Sequence, residues 1–250
     1  MTSRSDSLRR EQAASLQHLD LGRFDVGPGK RLIPISGWLI TTDSGRRILL
    51  DTGFPPAYAQ DERGMALADG LDAFGRLVNF GPRHTILGAL SGLGVAARDI
   101  SHVLLSHSHI DHVGGLPCFP DAEIILSATE HALPRPLYFG RAQPMVWPDA
   151  RYRPLGRTTQ ICRGLRMLAT PGHTPGHMSC LVSLPGETVV LAIDAINRHS
   201  EPAEGYPDAT DPATAAVSGR RLQTLARCHR ATLVPGHEPL DGGSQDEDKR

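Results

Sequence analysis

Six consecutive residues, His107-Ser108-His109-Ile110-Asp111-His112, constrain this chain more than any other feature, because they set three imidazoles and a carboxylate side by side. Burying such a group without a cation is costly, and neutral imidazole with carboxylate is the donor set that borderline metals such as zinc accept. The preceding residues, His102-Val103-Leu104-Leu105-Ser106, read as a strand. The histidines therefore fall in the turn at its carboxyl end, where neighbouring side chains converge instead of alternating. Gly114-Gly115 then frees the backbone to approach the site closely.

Three later segments repeat the pattern of a ligand-type side chain just after an apolar run. They are Thr170-Pro171-Gly172-His173-Thr174-Pro175-Gly176-His177, Leu191-Ala192-Ile193-Asp194 and Val234-Pro235-Gly236-His237. If the strands lie side by side, their carboxyl ends present His173, Asp194 and His237 beside the first cluster. That set is large enough for two ions. His18, His84, His102, His131, His199 and His229 have no such context and are expected in surface or core roles.

The remaining pattern supplies a frame. Trp38 to Thr42 and Arg46 to Leu50 flank Asp43-Ser44-Gly45 and read as a hairpin. Residues 54–83, rich in Gly and Pro, read as a long connection and a candidate substrate wall. A short helix is expected over 85–93, strands over 123–127, 165–170, 180–184 and 188–193, a helix over 212–228 and a strand over 231–234. Strands and helices in this order predict a layered α/β fold with helices outside stacked sheets. The expected organisation is a polar extension over 1–30, one domain over 31–241 and a polar tail over 242–250.

With 26 basic and 27 acidic residues well mixed and a formal charge of −1, no long-range field attracts nucleic acid or an anionic membrane. The expected partner is a small ester or lactone. No stretch has the length of a signal sequence or a membrane span, so a cytoplasmic location is expected. Cys118, Cys162, Cys180 and Cys228 form no CxxC pair and are read as reduced packing residues.

The HxHxDH run, the PGHTPGH segment, the late aspartate and the terminal PGH resemble the metallo-β-lactamase superfamily. That resemblance implies an αββα sandwich, with one metal held by His107, His109 and His173, a second by Asp111, His112 and His237, and Asp194 bridging them. It implies supporting roles for His177 and for Asp51, in Leu49-Leu50-Asp51-Thr52-Gly53. The subgroup most resembled is the quorum-quenching lactonases that open N-acyl homoserine lactones. The likeness extends to Pro28-Gly29-Lys30, to Gly92-Leu93-Gly94-Val95 before Arg98-Asp99-Ile100, and to Ile193-Asp194-Ala195. Those lactonases commonly carry a tyrosine three residues after the bridging aspartate. Here that position is Asn197, whose amide is able to donate, with Tyr206 and His199 as further candidates from the following loop.

The expected activity is hydrolysis of a lactone or ester by a metal-bridging hydroxide, since two cations lower the pKa of a shared water from about 15.7 to near 7. Asp111 is the expected proton shuttle and therefore the candidate catalytic residue. Zinc is the first expectation for both divalent ions, with iron, manganese and cobalt as alternatives. A thioester hydrolase of the glyoxalase II type, a phosphodiesterase, and an iron-dependent oxidoreductase on the same fold are the competing functions. Tyr138, Phe139, Met145, Trp147 and Tyr152, within 134–155, are candidates for an acyl pocket or for anchoring a loop. Family likeness also suggests a homodimer.

Overall fold

The computed structural model describes residues 7–27, 31–140 and 142–240. Two sheets carry the fold. The first contains β1 (Ala13–Asp25), β2 (Leu32–Thr42), β3 (Arg47–Leu50), β4 (Arg76–Val78), β5 (Ile100–Leu104), β6 (Glu123–Ser127) and β7 (Arg151–Leu155), in spatial order β4-β1-β2-β3-β5-β6-β7. The second contains β8 (Thr159–Cys162), β9 (Leu165–Ala169), β10 (Met178–Leu184), β11 (Glu187–Ile193) and β12 (Thr232–Pro235), in order β12-β11-β10-β9-β8. Around them lie the helices α1 (Glu62–Asp69), α2 (Ile86–Gly92), α3 (Ile110–Val113), α4 (Ala128–His131), α5 (Glu201–Glu204) and α6 (Pro212–His229).

The layering follows from the period-2 alternation of strands that are apolar on both faces. Ile48, Leu50, Leu104 and Ile125 point from the first sheet into a middle layer, where they meet Met167, Cys180, Val182 and Leu191 of the second. Their neighbours Leu49, Val103, Ile124 and Leu126 point outward and pack with Ile86 and Leu90 of α2. On the far side, Leu181, Val190 and Ala192 meet Ala215, Leu222 and Ala226 of α6. Three apolar layers between four sets of elements make the αββα sandwich. Cys162 and Cys180 are buried packing residues as expected, whereas Cys228 is exposed on α6.

The expected start of folded structure near Leu32 is corrected: residues 13–25 are no extension but a strand inside the first sheet, paired antiparallel to β2 and also to β4. The pattern is obscured because a bulge between Asp20 and Arg23, with Gly22 at φ +99°, changes the spacing of the buried residues Leu19, Leu21 and Phe24. Residues 54–83 are likewise more ordered than a loop. Asp61 caps α1 by accepting from the Gly64 amide at 2.9 Å, and β4 closes the sheet edge. Pro28-Gly29-Lys30 and residues beyond 240 lie outside the described residues. Among the described residues, no helix is long and apolar enough to cross a membrane.

The approach to β1 is locked to the β2–β3 hairpin. Glu11 accepts from Arg46 Nη2 at 2.7 Å and from Thr42 Oγ1 at 2.7 Å. Burial opposes the charge, but the Arg46 and Thr42 hydrogen bonds outweigh it and hold the Glu11 carboxyl at about 2 instead of 4.5. A folded-state pKa below the unfolded one means stability fully present above about 4.5 and lost as pH falls through about 2. Glu11→Gln is expected to cost about 1–2 kcal/mol at pH 7, less than the full shift because the pair is partly solvated. Urea midpoints should show that gap closing between pH 4.5 and pH 2; an unchanged gap would assign the stability to packing instead.

Candidate metal centre

Each ligand-type residue stands at the carboxyl end of a strand. His107, His109, Asp111 and His112 follow β5, with His109 in extended backbone before α3. His173 follows β9, Asp194 follows β11 and His237 follows β12. The Pro-Gly-His turns are shaped by glycine. Gly172 has φ +135°, and a Cβ there would run into the backbone of Ala215, while a Cβ on Gly236 would lie 2.7 Å from the Ile193 carbonyl carbon.

The structure brings all seven side chains together in two groups, His107, His109, His173 and Asp194 in one and Asp111, His112 and His237 in the other. In the first, His109 Nδ1 lies 3.0 Å from both His107 Nε2 and His173 Nε2, and Asp194 Oδ2 is 3.2 Å from His173 Nε2. In the second, His112 Nε2 is 3.3 Å from Asp111 Oδ2, and His237 Nε2 is 3.6 Å from the same oxygen. Asp194 joins the groups, with Oδ1 3.4 Å from His112 Nε2 and Oδ2 3.2 Å from His237 Nε2.

The supporting hydrogen bonds decide which ring nitrogens are free. Asp51 Oδ2 accepts from Ser106 Oγ at 2.8 Å and from His112 Nδ1 at 2.9 Å. With its proton committed to Asp51, Ser106 Oγ accepts from His107 Nδ1 at 3.0 Å. His237 Nδ1 donates to the Pro34 carbonyl at 2.9 Å. The opposite Nε2 atoms of His107, His112 and His237 therefore turn lone pairs inward. His112 Nε2 and Asp194 Oδ1, both buried, have no hydrogen-bond partner among the described residues. Converging lone pairs, an anion between them and orphaned buried acceptors fit two divalent cations, each with nitrogen and oxygen donors.

Protonation without ions divides the same way. Burial holds His107, His109 and His173 below the ordinary histidine value, so these rings are already in ligand form. At the other group burial is outweighed by carboxylates: Asp194 and Asp111 push His237 up to about 8, and His112 rises beside Asp111, Asp194 and Asp51. Asp111 falls to about 2, burial being outweighed by His112 and His237. Metal uptake at this second group would release protons.

His177 stands outside both groups. Its Nδ1 donates to Thr170 Oγ1 at 2.9 Å, in a chain that runs through Ser179 Oγ to the Ala192 carbonyl and ties β9, β10 and β11 together. A residue not singled out from the sequence is Glu130, 1% exposed. It accepts from Ser108 Oγ at 2.6 Å and Ser108 N at 3.2 Å on one ligand loop, and from Thr174 Oγ1 at 2.7 Å and Gly176 N at 3.1 Å on another. Its signal is masked because Ser127-Ala128-Thr129-Glu130 has the spacing of a helix-capping box.

Five residues from the two groups, His109, Asp111, His173, Asp194 and His237, line a cavity of about 800 Å³. Phe24, Ile33, Phe54, Leu71, Phe74 and Phe139 supply apolar wall, and Arg31, Arg198, Glu204 and Asp208 a charged border. Residues 54–83 thus contribute substrate wall through Phe54, Leu71 and Phe74. Of the candidate acyl-pocket residues, Tyr138 and Phe139 line the cavity, whereas Trp147 and Tyr152 pack around His131 and anchor their loop. Tyr206 is buried against α6 and His199 is exposed and paired with Glu238, so neither lines the cavity. Asn197 does.

The sequence matches the family model described as the Metallo-beta-lactamase superfamily over residues 31–237. It is 30% identical over 220 residues to N-acyl homoserine lactonase AiiA of Bacillus thuringiensis subsp. kurstaki, covering 84% of each chain. It is 32% identical over 164 residues to Metallo-beta-lactamase domain-containing protein 1 of Homo sapiens, covering 63% of this chain and 54% of that one. A solved N-acyl homoserine lactone hydrolase, with the product N-hexanoyl-L-homoserine bound at its catalytic metal center, matches with TM-score 0.77 and 27% identity over 90% of this chain and 94% of that chain. With two stacked sheets, ligand loops at their carboxyl ends and a family match over most of its length, the chain belongs to the metallo-beta-lactamase superfamily.

Proposed function

We propose that this protein is a two-metal hydrolase that opens a lactone or a related ester bearing an apolar arm, with N-acyl homoserine lactones as the first substrates to test. The observation that carries the reading is the seven-residue cluster, five of whose residues line an apolar-walled cavity. Similarity to N-acyl homoserine lactonases supports the choice of bond. Zinc is the proposed metal, on the strength of the imidazole and carboxylate donor set.

When bound, the two cations supply Lewis acidity for the carbonyl oxygen and acidify water to a nucleophile at neutral pH. The chain's own residues do the rest. His107, His109 and His173 would hold one cation and Asp111, His112 and His237 the other, with the Asp194 carboxylate within reach of both groups. The phenylalanine walls hold the apolar arm and keep bulk water from the floor. Asp111, a carboxylate facing the cavity, is placed to take a proton and pass it to the leaving alkoxide.

The test is a substrate panel on metal-quantified protein: acyl-homoserine lactones, simple γ- and δ-lactones, a glutathione thioester and a phosphodiester. Lactone opening is expected, and His109→Ala should reduce it by more than the roughly 10–100-fold lost with a supporting contact. Cleavage of only the thioester or phosphodiester would overturn the lactone reading and leave the metal centre standing. A colourless protein containing zinc would exclude the iron oxidoreductase.

A further inference from the structure

Tyr138 holds the loop of one candidate ligand from the side. Its backbone N–H donates to the Ser108 carbonyl at 3.0 Å and its carbonyl accepts from Ile110 N at 3.0 Å, so the two bonds bracket His109. Tyr138 does this at φ +60°, a left-handed conformation that is strained for a bulky residue and persists only where the surroundings impose it. Its side chain is anchored. Only 3% exposed, Tyr138 donates its hydroxyl to Asp69 Oδ2 at 3.2 Å, and the same oxygen accepts from the Tyr58 hydroxyl at 2.8 Å. Burial and the neighbouring Asp69 carboxylate push both phenol pKa values up, so both hydroxyls keep their protons and donate.

Asp69 is the last residue of α1, where a carboxylate meets the negative end of the helix dipole. The helix gives no reason for an acid there; the two hydroxyl donors do. From Asp69 the chain runs directly into the cavity wall. Leu71 and Phe74 line the cavity, and the Phe74 ring meets Phe139, the neighbour of Tyr138, edge-on with 5.1 Å between centroids. The wall segment and the residues beside His109 are therefore joined twice, by a hydrogen bond to a carboxylate and by a ring pair.

We infer that Asp69 is a positioning residue: through the Tyr138 hydroxyl it fixes the backbone that brackets His109, and so ties the geometry of one metal position to the segment that forms the apolar wall. This inference rests on the two-metal reading above. Contacts one step removed from a ligand change metal affinity by about 10–100-fold when they are lost. A change in this part of the wall is therefore felt in metal affinity as well as in substrate fit.

The test is chelator competition on the full chain loaded with zinc, with elemental analysis and circular dichroism on the same samples. The release step of interest is the one that His109→Ala abolishes. Tyr138→Phe, which keeps the ring, and Asp69→Ala should each weaken that step by about tenfold or more, and leave the step that His237→Ala abolishes within about twofold. The double variant should lose no more than the larger single effect, since both changes remove one bond. Asp69→Asn, whose oxygen still accepts from hydroxyls, should restore most of the affinity. Tyr58→Phe removes the other hydroxyl from the same carboxylate without touching the His109 loop; it should lower Tm and leave both steps in place. With cobalt in place of zinc, the visible spectrum reports ligand geometry and should change in Tyr138→Phe but not in Tyr58→Phe. Equal metal affinity in the wild type and a folded Tyr138→Phe, or an equal loss in Tyr58→Phe, would overturn the inference and leave the metal centre standing. A wild-type protein that takes up no divalent metal would remove the two-metal reading and this inference together.

Discussion

Asp194→Ala is expected to disable both metal positions at once. Asp194 has carboxylate oxygens within 3.4 Å of ring nitrogens in both groups, His112 on one side and His173 on the other, and it is 6% exposed. Its removal takes the shared anion from between two cations, so their mutual repulsion loses its screen and each keeps a poorer donor set. Metal content should fall from two ions per chain to fewer than one, and kcat/KM by about three orders of magnitude, or ~4 kcal/mol. Elemental analysis and circular dichroism on the same sample separate loss of metal from loss of fold. A variant that keeps two ions per chain would show that Asp194 is not their common ligand. Asp194→Asn, which keeps one oxygen and loses the charge, should fall between the two.

Glu130→Ala carries the second large effect, on stability as well as chemistry. Four donors on two ligand loops converge on this carboxylate: Ser108 N, Ser108 Oγ, Thr174 Oγ1 and Gly176 N. Truncation strands them in a buried site and should cost about 3–5 kcal/mol, seen as a drop in Tm of roughly 10 °C. Glu130→Gln keeps the length but substitutes a donor for one acceptor, and should fold. Because Ser108 sits between His107 and His109, and Thr174 beside His173, this variant should lose roughly 10–100-fold in affinity at that metal position. Chelator competition measures it. Unchanged affinity in a folded Glu130→Gln would limit Glu130 to packing.

Much of this was legible in the sequence, for reasons that differ between elements. β5, β6 and β9 to β12 are short apolar runs covered on both faces, and the hairpin around Gly45 carries its own turn signal. β1 was hidden by its bulge, and β7 by Arg151, Arg153 and Pro154, residues that a strand at a sheet edge tolerates. All seven residues of the cluster were readable because they occupy dense or repeated local patterns. Glu130 was not, since what its carboxylate touches depends on how the loops pack.

The hydrogen bond from His237 to the Pro34 carbonyl spans 203 positions, and it is this contact that aims the last imidazole inward. During translation the residues gathered around His109 are all made by the time Asp194 leaves the ribosome, whereas the group around Asp111 must wait for His237 and for β12 to dock beside β11. The first group of candidate ligands can therefore assemble while the chain is still being synthesised, whereas the second is complete only after nearly all of the sandwich has closed.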